Sequence, residues 1–169
     1  MARKNSRKAQ RTVRTTSVTP EGIYEPFNID TVPWRKTPGS TTYKRLGRFG
    51  GGSRVGVGID VLEPKQYSNR FHYHLHEEEH IFIIKGSATL VLGTRRYLLH
   101  ERDYCCFPAG QKAGHHLFNH TSEKCTFMTI GEHRPDDVVC FPEAGRARIR
   151  ATGKTVPISA IEQASVKIA

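Results

Sequence analysis

The sequence predicts an all-β protein built from short strands in a sandwich or a barrel. Apolar runs follow one another at regular intervals between residues 81 and 110, and turn signals split them at Lys85-Gly86, at Gly93-Thr94 and at residues 101–103. Short strands with this spacing are typical of sandwiches and barrels. A second observation agrees, because helical periodicity is nearly absent from the rest of the chain.

The chain has 169 residues, which is enough for one domain with tails. Aliphatic and aromatic residues gather between about Val55 and Phe141, whereas the first twenty residues have almost none. We therefore divide the chain into a disordered basic tail (1–20), an extended arm (21–45), a barrel (46–150) and a C-terminal strand or short helix (151–169).

The N-terminal tail accounts for much of the net charge of +10. Six of the 26 basic residues lie within the first fourteen positions, and the first acidic residue is Glu21. The tail has too few apolar residues to offset the entropy of ordering, so it is predicted to be disordered. A transit peptide would need Leu, Phe or Ile on its helical face, and the tail has none. We favour a role in solubility over binding of polyanions, and nucleic acid is not an expected partner.

Residues 24–40 form the main part of the arm. They include three prolines, which exclude a long helix or a central strand. Phe27, Ile29, Val32 and Trp34 can cover a neighbouring surface.

The remaining strands are read from their composition. Residues 49–64 mix glycines with alternating valine and isoleucine, which predicts a strand that bends. Residues 124–132 supply one more strand. Three arginines alternate with Ala and Ile and predict the solvent face of a late strand: Arg146, Arg148 and Arg150. Residues 156–169 predict a short helix or a terminal strand.

Four cysteines without an apolar signal segment predict reduced thiols in a cytoplasmic protein rather than a disulfide framework. Their apolar surroundings favour small core residues over metal ligands. No stretch reaches the roughly 18 apolar residues of a membrane helix, so no membrane association is expected.

The stretch HYHLHEEEH at residues 72–80 is the main candidate for a functional site. In a strand, residues two apart share a face about 6.5 to 7 Å apart, so His72 and His74 would present their imidazoles side by side. If the chain turns over residues 75–78, Glu79 opens the returning strand on the same side, ahead of Ile81 and Ile83. His115, after a turn at Pro108 and Gly110, is a fourth candidate.

Three neutral imidazoles and one carboxylate inside an apolar barrel would suit a divalent first-row metal. A polar barrel mouth without metal is the alternative, and Glu78 would replace Glu79 if the register differed by one. The other polar residues nearby are expected to be structural or solvated. Surface or interface positions are predicted for His76, His80, His116 and His120, solvated side chains for Glu77 and Glu78, and a turn-holding role for Asn119.

Two motifs carry a resemblance to a known family. The pattern H72-x-H74-x4-E79-x6-G86 resembles the first motif of the cupin superfamily, and P108-x-G110 followed by H115-x3-N119 resembles the second. The longer stretch, with its PFxxxxVPW lead-in, resembles small, largely uncharacterised single-domain bacterial cupins. Two turn glycines of the family pattern are replaced, one by Lys65 or Gln66 and the other by Arg102. Both lie outside the ligand positions.

The resemblance implies a double-stranded β-helix, the cupin jelly-roll barrel. It also implies a divalent metal ion, either manganese, iron, nickel or zinc, held by His72, His74, Glu79 and His115. Cupins commonly pair through N-terminal strands, and an exposed Trp34 and Phe27 would leave an apolar patch, so we expect a homodimer.

Such a metal centre predicts one of two functions. A six-coordinate ion with four protein ligands keeps two positions open, which suits a dioxygenase or a Lewis-acid isomerase acting on a small polar or anionic molecule. Zinc would be nearly closed by the same four ligands. The alternative is a non-catalytic module that binds or senses a small-molecule ligand such as a sugar or a carboxylate. The sequence places no general acid or base beside the metal, and the fold hosts both classes.

Overall fold

The computed structural model describes residues 16–36 and 41–166. Within these ranges it contains thirteen β-strands and two α-helices. All strand pairs are antiparallel. The predicted all-β fold is therefore confirmed, whereas most of the predicted tail, residues 1–15, lies outside the described residues.

One face of the barrel is a six-stranded sheet with the strand order β1-β2-β3-β10-β5-β8. In β5 and β10, the buried residues Ile81, Ile83, Cys125 and Phe127 alternate with less buried ones, as expected for a sheet with one face toward the core. The strands are β1 (Arg35–Lys36), β2 (Thr42–Arg45), β3 (Val55–Leu62), β5 (Glu79–Lys85), β8 (Tyr104–Phe107) and β10 (Cys125–Glu132).

The opposite face consists of two smaller sheets, ordered β13-β12-β11-β4 and β7-β6-β9. A bridge between His72 and His115 joins them, with both backbone N–H groups donating across it. The strands are β4 (Tyr73–His74), β6 (Ala88–Leu92), β7 (Arg95–Leu99), β9 (His115–Phe118), β11 (Val138–Phe141), β12 (Arg146–Ile149) and β13 (Thr155–Pro157). The arrangement is the predicted double-stranded β-helix.

The main core lies between the two faces. Its largest fully buried members are Phe127, Leu62, Ile83 and Leu117. Ile81 and Ile83 face this core while Phe82 between them is exposed, as the predicted strand parity requires. Burial of this much apolar surface is the main source of stability for the barrel.

Helix α2 (Ile158–Val166) and strand β13 together form the C-terminal segment, so both predicted alternatives are present in succession. Ile158 and Ile161 of the helix pack on the outer face of the four-stranded sheet, against a second cluster that includes Tyr73 and Cys140. Tyr73 therefore points away from the barrel interior, which fixes the opposite direction for His72 and His74.

The arm runs along the edge of the six-stranded sheet. It contains a short 3-10 turn at Ile29–Thr31 and strands β1 and β2, and is followed by helix α1 (Leu46–Phe49). Phe27 packs on Phe49, but Trp34 remains half-exposed. The end of the predicted tail is ordered, since Ser17 is buried and donates its N–H to Phe49 O at 2.8 Å.

Two turns have left-handed backbone at residues other than glycine: Lys65 with φ 61° and Arg102 with φ 76°. These are positions where the family pattern has turn glycines. The turns therefore keep the conformation that glycine adopts without steric cost, although the side chains are long.

Neither helix in the described part of the chain is long and apolar enough to cross a membrane.

Candidate metal centre

Three chain segments bring the predicted site residues together inside the barrel. His72 lies in the bridge to His115, His74 ends β4, Glu79 opens β5 and His115 opens β9. The predicted turn over residues 75–78 is present, and it returns Glu79 to the side occupied by the two histidines.

The three histidines converge on one carboxylate oxygen. Glu79 Oε2 lies 3.1 Å from His115 Nε2, 3.7 Å from His72 Nε2 and 3.9 Å from His74 Nε2. His72, His74 and Glu79 can each supply a ligand atom within 4.8 Å of the other two. His115 is outside that group of three but makes the shortest contact with Glu79.

Hydrogen bonds orient two of the imidazoles. His72 Nδ1 lies 2.8 Å from Arg70 O, and His74 Nδ1 lies 2.7 Å from Asp137 Oδ2. A carbonyl or carboxylate oxygen can only accept, so each Nδ1 carries the proton and, in the neutral ring, each Nε2 presents a lone pair to the centre. This is the tautomer that a metal ligand needs.

The third imidazole is held by packing. His115 stacks on Phe107 with ring centroids 3.7 Å apart and an interplanar angle of 3°. Its Nδ1 is buried and has no hydrogen-bond partner among the described residues. The ring is therefore positioned by the aromatic face and by Glu79.

The charges of these groups are strongly coupled. Burial raises the pKa of Glu79, but hydrogen bonds and charge from His115 and His72 outweigh it and hold the pKa below its usual value. Burial lowers the pKa of His115 against the opposing effect of Glu79. An ionised carboxylate beside a neutral imidazole is the protonation state in which both groups can bind a cation.

Behind His74 lies a buried layer of charge. Asp137 has no exposed surface and also accepts from His76 N and from Arg150, whose guanidinium lies 3.4 Å from Oδ2. The same guanidinium donates to Glu77 Oε2 at 2.6 Å. This layer fixes His74 from the side opposite the centre.

The expectation that Glu77 is solvated is wrong. Its side chain is buried, and it accepts hydrogen bonds from Arg150 and from the backbone N–H of Arg134. Both donors are more than fifty positions away in the sequence, so the local pattern of three consecutive glutamates gave no sign of them. Glu78, in contrast, is half-exposed, and Glu79 is the carboxylate that faces the histidines.

A cavity of about 300 Å³ adjoins two of the four residues, Glu79 and His115. Asp60, Tyr43 and Arg45 also line it. Asp60 is buried, and its two oxygens accept from Thr41 Oγ1 at 3.1 Å and Thr129 Oγ1 at 3.0 Å.

Burial raises the pKa of Asp60, while Arg45 and the two threonines oppose the rise. Sequence reasoning missed this acid because Asp60 is a single polar residue in an apolar strand. Its two-residue spacing from Leu62, an apolar residue of the same strand, was a sign that it faces the barrel interior.

A second group of ligand-type side chains lies on the outer face of β5 and β8. Glu78, His80 and Cys106 can also supply ligand atoms within 4.8 Å of one another. His80 Nε2 is 3.0 Å from Glu78 Oε1, and Cys106 is exposed. A measurement of bound metal therefore has to distinguish metal held by this outer cluster from metal held by the histidines and Glu79 inside the barrel.

The other residues singled out in the sequence take structural positions. Asn119 is fully buried and donates to Leu62 O and Glu123 O, which confirms its turn-holding role. Cys125 and Cys140 are buried as expected, but Cys106 is not. His76 is exposed; half-buried positions are taken by His80, His116 and His120.

Part of the chain matches a known protein family. Residues 58–131 match the family model for the cupin domain. A comparison with curated proteins gave no match.

Several solved structures are similar to this chain in fold. A sugar phosphate isomerase of the cupin superfamily from Silicibacter pomeroyi is 25% identical with a TM-score of 0.69, covering 79% of this chain and 92% of its own. A protein from Acidithiobacillus ferrooxidans, provisionally named a sugar phosphate isomerase, is 25% identical with a TM-score of 0.70 and coverages of 88% and 96%. A polyketide cyclase from Streptomyces resistomycificus shares the fold at 20% identity and TM-score 0.57, with coverages of 66% and 81%.

Proposed function

The chain belongs to the cupin superfamily, and from this premise we propose that it is a metal-dependent enzyme of the isomerase type. Its substrate is a small polar or anionic molecule. The observation that carries the proposal is the convergence of three imidazole Nε2 atoms on Glu79 Oε2, at 3.1 to 3.9 Å. The metal ligands are His72, His74, Glu79 and His115.

The donor set fits a divalent ion. Three nitrogens and one carboxylate oxygen suit manganese, iron, nickel or zinc, and the Nδ1 hydrogen bonds of His72 and His74 already fix the tautomer that binding requires. When bound, such an ion supplies Lewis-acid polarisation of a carbonyl or hydroxyl oxygen. The buried Asp137 increases the basicity of His74 and so its affinity for a cation.

Asp60 supports catalysis over simple binding. It lies in the same cavity as Glu79 and is buried, and burial raises its pKa toward the range in which a carboxyl group can exchange protons. Thr41 and Thr129 hold its oxygens in place. We assign Asp60 the role of taking or giving a proton at the substrate.

Isomerisation is preferred to oxygenation for two reasons. It moves hydrogen within the substrate and needs no second substrate, whereas an oxygenase must also admit dioxygen. The structural neighbour from Silicibacter pomeroyi, at 25% identity, is a sugar phosphate isomerase. A binding or sensing module is the second candidate, because the same cavity would hold a sugar or a carboxylate without turnover.

The exposed part of the arm supports a homodimer. Ile23, Tyr24, Ile29 and Trp34 are each at least 45% exposed, which is unusual for four large apolar side chains in one short segment. Light scattering on the wild type and on Trp34→Ser tests this: a dimer that weakens in the variant is expected, and a monomeric wild type contradicts it.

The metal centre is tested by elemental mass spectrometry on protein purified without a histidine tag. About one equivalent of metal per chain is expected in the inner site of the wild type. His72→Ala/His74→Ala should lose it, whereas Cys106→Ser, which removes a ligand-type side chain of the outer cluster, should retain it. A wild type that takes up no metal after incubation with each ion contradicts the proposal.

Catalysis is tested by incubating the metal-loaded protein with aldoses, ketoses and their phosphates and following their interconversion by NMR. Asp60→Asn should keep its metal and lose about 10²- to 10⁴-fold in rate, the usual contribution of a general acid or base. If one of these compounds binds and none of them is converted, the result would favour the binding module.

A further inference from the structure

A basic cavity of about 850 Å³ lies beside the candidate metal centre. It opens between the start of β3 and strands β11 and β12. Its walls carry four arginines, Arg45, Arg48, Arg148 and Arg150, together with His133 and the apolar side chains of Val55, Val57 and Val139. None of the described residues that line it is acidic. The volume is within the range of small-molecule sites.

The four arginines are not equivalent. The charge of Arg150 is neutralised by Glu77 and Asp137, whose carboxylate oxygens lie 2.6 and 3.4 Å from its guanidinium group. Arg45 faces the buried carboxyl group of Asp60. Arg48 and Arg148 have no carboxylate partner within the described ranges. The cavity therefore has an excess of positive charge that an anion would relieve.

Arg45 connects this cavity to the candidate metal centre. It lines the basic cavity, the 300 Å³ cavity that contains Glu79 and His115, and a third one that contains His74 and Glu79. A glycine provides the space: a Cβ built at Gly58 would lie 3.2 Å from a guanidinium nitrogen of Arg45. The guanidinium also lies over the Tyr43 ring, 4.3 Å from its centroid, which holds it at the junction.

We propose that Arg45, Arg48 and Arg148 bind the phosphate group of a phosphorylated small molecule whose other end reaches the metal centre. This inference rests on the proposed function and names its substrate class. A carboxylate can be satisfied by one arginine in a bidentate contact, whereas three guanidinium groups around one cavity match the charge and the three free oxygens of a phosphate monoester. The valines offer an apolar wall for the carbon chain of the ligand.

Calorimetric titration tests the assignment, with inorganic phosphate, glucose 6-phosphate and glucose as probes. The variant is Arg48→Ala/Arg148→Ala. The control is Arg95→Ala/Arg96→Ala, which removes the same charge from exposed positions on β7. Both pairs are exposed, so both variants should fold. We expect the Arg48/Arg148 variant to bind inorganic phosphate and glucose 6-phosphate at least about tenfold more weakly, because charge-assisted hydrogen bonds are lost, and the control to match the wild type.

The source of the phosphate group follows from the same titrations. Tighter binding of glucose 6-phosphate than of inorganic phosphate, with no binding of glucose, supports a phosphorylated small molecule. Equal binding of the two phosphates limits the site to free phosphate and overturns the assignment of substrate class.

Two further measurements separate this inference from the proposed function. The titration is repeated after metal has been removed with a chelator, since phosphate could bind the metal itself. Arginine-dependent binding that persists in the stripped protein supports the inference even if the wild type contains no metal. Affinities that are equal in the two double variants, or binding that disappears with the metal, would overturn it while leaving the metal centre intact.

Discussion

Nδ1 of His74 lies 2.7 Å from Oδ2 of Asp137, a carboxylate with no exposed surface at the start of β11. The two residues are 63 positions apart, so the contact exists only because β4 pairs with β11. Burial raises the pKa of Asp137, but its contacts with His74, the backbone N–H of His76 and Arg150 together outweigh burial and lower it. The ionised acid is therefore available to orient the imidazole.

Asp137→Asn should weaken metal binding without removing a ligand. The amide keeps the shape of the side chain but loses the charge that makes His74 more basic, and such outer contacts typically contribute about 10- to 100-fold in metal affinity. Competition with a chromogenic chelator measures this affinity. Asp136→Asn, at an exposed neighbouring position, is the control and should retain wild-type affinity. Equal affinities for the two variants would show that Asp137 does not act through His74.

The buried acid Asp60 should make stability depend on pH. Its pKa is raised by burial, so the folded state holds this proton more tightly than the unfolded chain, whose pKa is near 3.9. The stability that Asp60 contributes is then present below that value and is lost as pH rises through the raised pKa of the folded state. Relative to Asp60→Asn, the wild type should become less stable from about pH 4 upward until this carboxyl group is fully ionised.

Urea unfolding of both proteins between about pH 4 and 8 measures the difference in free energy. Thr129→Val is an informative companion, because its loss removes a hydrogen bond that lowers the pKa of Asp60, and the decline should extend to higher pH. A difference that increases in favour of the wild type with rising pH would contradict the assignment.

The four thiols should differ in reactivity. Cys106 is exposed on β8, whereas Cys125 and Cys140 are buried, and burial raises the pKa of Cys125 to about 11. Access and thiolate fraction both control the reaction with disulfide reagents. One thiol per folded chain should therefore react rapidly with a chromogenic disulfide. This fast phase should be lost in Cys106→Ser and kept in Cys105→Ser; its survival in the first variant would contradict the exposure seen here.

The sequence predicted what depends on local alternation. The inward direction of Ile81 and Ile83 and the turn before Glu79 follow from strand parity. The spacing of turns predicted an all-β sandwich or barrel, and the double-stranded β-helix followed from the resemblance to cupins. Hydrogen bonds and ion pairs between residues that are far apart in the sequence could not be predicted in the same way. The contacts of Glu77 with Arg134 and Arg150 span 57 and 73 positions. The residues next to Glu77 in the sequence do not indicate that Arg134 and Arg150 are its partners.

The contact that a glycine of the barrel makes could not be predicted from the sequence either. Gly58 suggested a bend in β3, but its Cβ position is next to a guanidinium nitrogen of Arg45. The substituted turn glycines are instructive in the opposite sense, because Lys65 and Arg102 keep the left-handed backbone that the family pattern implied. Turn geometry here is determined by the surrounding strands and not by the residue at the turn.

Restoring glycine at one of these turns should stabilise the protein. Arg102 has φ 76° between β7 and β8, and a left-handed conformation costs an ordinary residue about 1 to 2 kcal/mol. Glycine avoids that cost but adds roughly 0.5 to 1 kcal/mol of conformational entropy in the unfolded chain. Arg102→Gly should therefore increase the free energy of unfolding by up to about 1.5 kcal/mol.

Urea unfolding at neutral pH compares this variant with Arg96→Gly, which removes the same charge from within strand β7. The control should lose stability, because glycine in a strand interior weakens the strand and no strain is relieved. If Arg102→Gly is destabilised as much as the control, the long side chain of Arg102 must contribute contacts that exceed the backbone strain it imposes.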